Sequence, residues 1–79
     1  MKLPMLKVKI KLFATLQKDR FNIAEKEFKA GTTISDVMQD LNLPEKDVSI
    51  IFVNGRHSDQ NYTIQNHDTI AFFPPIGGG

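Results

Sequence analysis

The residues best suited to chemistry stand at the end of the chain, Phe72-Phe73-Pro74-Pro75-Ile76-Gly77-Gly78-Gly79. Glycine carries no Cβ, so a glycine run passes through a channel too narrow for any other residue. Gly77 and Gly78 are expected to thread such a channel. Gly79 is expected to offer its terminal carboxylate to an enzyme that grips, activates and modifies it. Pro74 and Pro75 lack backbone N–H groups and cannot extend a sheet ladder, so they should release the tail and hold it semi-extended. A glycine run is also what a frayed end or an expression remnant looks like. A remnant, however, has no reason to follow an apolar anchor. Phe72, Phe73, Pro74, Pro75 and Ile76 form that anchor and are expected to dock a partner protein. Successive strand residues point to opposite faces, so one phenylalanine ring should enter the core. The other, with Pro75 and Ile76, should meet the partner.

The remaining polar residues offer little chemistry. His57 and His67 have no cysteine partner and no metal-ligand spacing, and are read as solvated turn histidines. Ser35 and Ser58 lack a His–Asp arrangement beside them. Asp36 has a local explanation at the start of a helix. The glycine tail is no phosphate loop, because no Lys-Ser/Thr and no helix follow it. No catalytic residue and no metal ligand is assigned.

Composition sets the frame for these residues. The chain has 79 residues, of which 41% are hydrophobic, enough for one modest core. The expected organisation is one domain over residues 1–75 and a flexible tail over 76–79. The absence of cysteine removes disulfides, thiolate-bound metal and any cysteine nucleophile. No apolar run approaches the ~20 residues that span a bilayer. Lys7 interrupts the N-terminal apolar residues too early for a signal peptide, so the cytoplasm is the expected compartment. The net charge of +1 hides a balance of +5 over residues 1–30 and −4 over residues 31–79. Lys7, Lys9 and Lys11 alternate along a strand with no aromatic residue among them. That is the pattern of a wet sheet face rather than of a nucleic-acid site.

The elements that position the tail follow from periodicity. Leu6, Val8, Ile10 and Leu12 alternate with Lys7, Lys9 and Lys11, which predicts a half-buried strand. Phe13, Ala14 and Leu16 lead into a turn, and residues 17–22 read as a loop. A weaker strand is predicted from Ala24 to Phe28, broken by Gly31. Thr33 and Asp36 have the spacing of a capping box. Ile34, Val37, Met38 and Leu41 then mark one helical face, and Asn42 and Pro44 end the helix. Residues 44–47 could form a single turn. Ile50-Ile51-Phe52-Val53 is continuously apolar and reads as a central strand. Asn54-Gly55 predicts a type I′ hairpin turn into a short return strand at Arg56-His57. A loop with Tyr62 and Ile64 as its apolar contacts precedes a last strand that runs from Asp68 or Thr69 to Phe73. The first and last strands are the most apolar and should pair in the centre. This order is α+β: a mixed four- to five-stranded sheet covered on one face by a single main helix, the β-grasp arrangement.

At that level a resemblance emerges. Ile51-Phe52-Val53-Asn54-Gly55, Asn61-Tyr62-Thr63-Ile64-Gln65 and the glycine end resemble the C-terminal half of ubiquitin. Val53-Asn54-Gly55 with Asp68-x-Ile70-Ala71-Phe72-Phe73-Pro74-Pro75-x-x-Gly78-Gly79 resembles the prokaryotic ubiquitin-like sulfur carriers, in particular the molybdopterin-synthase small subunit. The proline pair separates this pattern from that of the thiazole-synthesis carriers. Phe13-Ala14 and Gly31-Thr32-Thr33-Ile34 also fit. Gly77 departs from the alanine common in the small subunit and keeps the thiazole branch open.

The resemblance implies that an ATP-dependent adenylating enzyme converts the Gly79 carboxylate to an acyl-adenylate. A sulfur donor then displaces AMP and leaves a thiocarboxylate. That group enters the large, catalytic subunit of molybdopterin synthase, or another sulfur acceptor enzyme, and delivers sulfur to a cyclic pterin precursor. The chain is then a co-substrate and not an enzyme. It binds no cofactor, ATP being used by the activating enzyme, and the isolated chain is expected to be a monomer without nucleic-acid or membrane partners. Two alternatives stand beside this one: sulfur delivery for thiazole or tRNA thiolation, and a ubiquitin-like modifier conjugated through Gly79.

Overall fold

The computed structural model of the protein describes residues 4–75. Five strands and one α-helix follow in the order β1 (Met5–Leu12), β2 (Ile23–Lys29), α1 (Ile34–Asp40), β3 (Ile50–Val53), β4 (Arg56–Ser58) and β5 (Thr69–Phe73). Two short 3-10 turns lie at Ala14–Gln17 and Glu45–Asp47. The strands form one sheet in the order β2-β1-β5-β3-β4. β1 and β5 pair in parallel, with Ile10 opposite Ile70 and Leu12 opposite Phe72. All other neighbours are antiparallel. The expected central pairing of first and last strands is therefore present, and the sheet is mixed.

The alternation in β1 does what its pattern demands. Val8, Ile10 and Leu12 are buried, while Lys7 and Lys9 are exposed. The inner face of the sheet meets Ile34, Val37, Met38 and Leu41 of the helical stripe, and Leu16, Leu43 and Ile64 close the core from the loops. Thr33 caps α1 as a full capping box. The Asp36 N–H donates to Thr33 Oγ1 at 3.3 Å, and the Thr33 N–H donates to Asp36 Oδ2 at 3.0 Å. Asn42, at φ 57°, ends the helix. Arg20, in the segment read only as a polar loop, covers that end. Its Nε and Nη2 donate to the Leu41 and Asn42 carbonyls at 3.2 and 2.7 Å, and its Nη1 donates to the Leu16 carbonyl at 3.2 Å. A guanidinium here satisfies carbonyls that the helix leaves without partners.

Two sequence expectations change. β3 is interior but not central: β5 holds the middle of the sheet, with β3 between it and β4. The four apolar residues of β3 are also not buried on both faces. Ile51 and Val53 face the core, whereas Ile50 and Phe52 are only half-buried on the opposite face. The helix covers one side of the sheet, and among the described residues no second layer covers the other, which is called the open face.

Candidate functional site

β5 carries the chain from the middle of the sheet to the proline pair. Ile70 and Phe72 point into the core, and Thr69, Ala71 and Phe73 point to the open face. The ladder continues to the strand end, where the Phe13 N–H donates to the Phe72 carbonyl at 3.3 Å and the Ser49 N–H donates to the Phe73 carbonyl at 2.8 Å. Pro74 follows and has no N–H with which to continue it. The two phenylalanines thus separate as alternation requires. Phe72 is 0% exposed, which corrects its inclusion among the docking residues: its ring fills the core and no partner can reach it. Phe73 and Pro74 are half-buried and Pro75 is exposed. Ile76, Gly77, Gly78 and Gly79, expected to dock, thread and react, lie outside the described residues.

Phe73 is not alone on the open face. Its ring stacks on Phe13 at 4.3 Å between centroids and 10° between planes, and meets Phe52 edge-on at 5.7 Å. Both geometries are favoured by the aromatic quadrupole. His57 tilts against the other side of Phe52 at 4.6 Å. Together with Ala71, Thr69 and Lys11, the three phenylalanines line an open basin of about 360 Å³. Phe13 remains 36% exposed and Ile23, opposite Lys11 in the β1–β2 register, 55% exposed. Phe13 and Phe52 were not singled out as docking residues from the sequence. The parity of β1 could have found the first, because residue 13 continues the outward series of Lys7, Lys9 and Lys11.

A hydrogen-bonded cluster fixes the other end of β5. Asp68 is the one buried charged side chain among the described residues, at 5% exposed. Its Oδ1 accepts from Asn54 Nδ2 at 2.8 Å, and its Oδ2 accepts from the Tyr62 hydroxyl at 2.9 Å and the Gln65 N–H at 2.8 Å. Asn54 also binds the Thr69 backbone twice, its N–H donating to the Thr69 carbonyl and its Oδ1 accepting from the Thr69 N–H. The hairpin turn, the long loop and the first residue of β5 are thereby tied to one carboxylate. Burial, then the hydrogen bond to Asp68 and the negative charge of that carboxylate, raise the Tyr62 hydroxyl above its ordinary pKa of 10.0.

The residues given no chemical role fall into ordinary places. His67 is exposed at φ 69°, its N–H donating to the Lys7 carbonyl. Ser35 and Asp36 belong to the first turn of α1. Among the described residues, no three His, Cys, Asp or Glu side chains lie close enough to hold a metal ion. Among them, too, no helix is long and apolar enough to cross a membrane.

A mixed five-stranded sheet with parallel first and last strands, one covering helix and an open aromatic face beside the end of the last strand defines a ubiquitin-like β-grasp protein. The chain belongs to the ThiS family, whose model matches residues 10–79. No match to the sequence was found among curated proteins. Among solved structures, the small archaeal modifier protein SAMP1 of Haloferax volcanii superposes with a TM-score of 0.74 at 20% identity, over 92% of this chain and 99% of that one. A putative molybdopterin converting factor subunit 1 of Pyrococcus furiosus gives 0.74 at 26% identity, over 90% and 99%. The structure of the complex of subunits 1 and 2 of the molybdopterin-converting factor of Helicobacter pylori gives 0.60 at 21% identity, over 94% and 100%.

Proposed function

We propose that the chain is a sulfur carrier whose Gly79 carboxylate is adenylated by an ATP-dependent enzyme and converted to a thiocarboxylate that supplies sulfur for molybdopterin. The observation that carries this reading is the end of β5. The middle strand of the sheet runs to the proline pair beside an exposed aromatic basin, and the glycine run follows. A free carboxylate is a poor electrophile. Adenylation releases pyrophosphate and supplies AMP as a leaving group. A sulfide-level sulfur nucleophile from the donor then attacks the acyl carbon, the C–S bond forming as the C–O bond to AMP breaks. The fold contributes position: a rigid base from which a short glycine run enters a partner's channel. Phe13, Phe52 and Phe73, with Pro75 and Ile76, are the docking surface for the adenylating enzyme and for the large subunit or other sulfur acceptor. The chain acts as co-substrate and carries no catalytic residue or cofactor of its own. ATP belongs to the activating enzyme, and the cytoplasm is the compartment this chemistry implies.

The proline pair favours the pterin pathway, and the Helicobacter pylori subunit complex supplies a precedent for a carrier of this shape bound to a second subunit. The likeness to SAMP1, described as a modifier protein, supports a second reading in which Gly79 is joined to lysines of other proteins. Incubation with the adenylating enzyme, ATP and a sulfur donor separates the two. The carrier reading expects a gain of ~16 Da as sulfur replaces one terminal oxygen. Deleting Gly79 should abolish it, because the carboxylate then falls ~3.5 Å short of the reacting centre. A mass gain that survives the deletion overturns the terminal-carboxylate mechanism. Conjugates on lysines of other proteins favour the modifier.

A further inference from the structure

The open face divides along its length. On β1 and β2 the register places Lys7 opposite Glu27 and Lys9 opposite Glu25, so each of these lysines has a carboxylate on the neighbouring strand. Lys11 is the exception, because its cross-strand neighbour is the exposed Ile23. On its other side the parallel register places Ala71. Lys11 is also half-buried, where Lys7 and Lys9 are exposed. It lines the aromatic basin and is the charged side chain among the described residues that do so. A lysine in this setting covers apolar surface with its methylenes and offers its ammonium at the rim.

We infer that Lys11 is a specificity-determining residue of the docking surface, and that the partner is a folded protein with an apolar projection flanked by a carboxylate that pairs with the Lys11 ammonium. This rests on the docking surface proposed above and adds the chemistry of its counterpart. The basin accepts apolar side chains by area burial, which discriminates weakly among partners. A single positive charge at its edge sets orientation and rejects a partner with a basic rim, since like charges brought together at an interface are strongly disfavoured. A nucleic acid fits the site less well. Lys7 and Lys9 each have a carboxylate opposite them on β2, and the basin itself is lined by one cation, Lys11, rather than by a basic track.

The test uses the full-length chain and the adenylating enzyme of the same organism, with ATP–pyrophosphate exchange giving KM and kcat for the carrier. Wild-type KM should rise as NaCl goes from about 25 to about 300 mM, because a rim pair is screened by salt. Lys11→Glu should raise KM roughly tenfold at low salt, with kcat unchanged, and should reverse the salt dependence. Lys11→Arg should behave as wild type, and Lys11→Met should lose the salt dependence. Phe52→Ser is the control for the surface itself, and the thermal midpoint of each variant checks its fold. If Phe52→Ser raises KM and Lys11→Glu leaves it unchanged, the role of Lys11 is overturned while the docking surface stands. If neither variant moves KM, the docking surface falls with it. Salt-sensitive binding of a single-stranded RNA 20-mer, read by fluorescence anisotropy and lost in Lys11→Glu, would overturn the assignment of a protein partner.

Discussion

At the scale of single residues, the cluster around Asp68 shows how one buried carboxylate can organise a small domain. Three donors from three separate places in the chain converge on it: Asn54, Tyr62 and Gln65. Removing a buried partner costs more than the bond itself contributes, because the group left behind stays desolvated. Tyr62→Phe is the mild version of that experiment, since Asp68 keeps its other two donors, and it should cost about 1 kcal/mol near neutral pH. Its pH dependence has a definite sign. The Tyr62 hydroxyl is raised above 10.0 in the folded protein, first by burial and then by Asp68, so the folded state holds this proton more tightly than the unfolded chain. That contribution is fully present below pH 10.0 and is lost as pH rises through the raised folded value. Urea denaturation should therefore show the gap between wild type and Tyr62→Phe holding up to about pH 9 and narrowing from about pH 9.5 to about pH 11. A gap that stays constant across that range would remove the coupling between Tyr62 ionisation and folding. None of this was legible in the sequence. Tyr62 read as an apolar contact and Asp68 as a strand boundary, because the bonds joining positions 54, 62, 65 and 68 depend on how the long loop folds back against the hairpin.

Elements were read more securely than their surroundings, and the reason is locality. The capping box at Thr33 and Asp36, the stripe of Ile34, Val37, Met38 and Leu41, and the alternation of β1 are patterns over a few residues, and each is present as expected. The Asn54-Gly55 turn is of the same kind. Both residues adopt positive φ, 53° and 82°, as a type I′ hairpin requires. A Cβ added at Gly55 would meet nothing within 4 Å, so the cost of Gly55→Ala is that of the left-handed backbone alone, about 1–2 kcal/mol. Thermal unfolding should show a destabilised but correctly folded variant. Loss of the fold would mean that the turn has a tighter environment than the structure gives it. The misreading of β3 has a different origin. A continuous apolar run of four residues fits a strand buried on both faces, and it equally fits one whose outer face is an apolar patch left uncovered. Local sequence cannot separate the two, because the difference lies in whether a second layer covers the sheet. Phe52 became recognisable as part of the site only once Phe13 and Phe73, distant in the chain, were seen on the same open face.

For the molecule as a whole, β5 joins stability to function through two adjacent rings. Phe72 is the largest fully buried side chain, in contact with the core from the middle of the sheet. Phe73, one residue on, contributes to the open basin and to little of that core. A domain of this size has about 4–12 kcal/mol of stability. Phe72→Ala should cost about 3–5 kcal/mol through lost burial and the cavity left behind, a large fraction of the total. Phe73→Ala removes one stacked and one edge-on contact, each worth about 0.5–1.5 kcal/mol beyond area burial. The two variants should therefore fail in different ways. Phe72→Ala should shift the urea midpoint strongly, and at low temperature its remaining folded fraction should still accept adenylation with a wild-type KM. Phe73→Ala should keep a cooperative transition near the wild-type midpoint while its KM for the adenylating enzyme rises about tenfold, as a truncated aromatic anchor would cause. Denaturation curves and exchange kinetics on the same preparations measure both. If Phe73→Ala loses affinity only in proportion to its loss of folded protein, the open face is a structural surface and docking must reside elsewhere on the molecule.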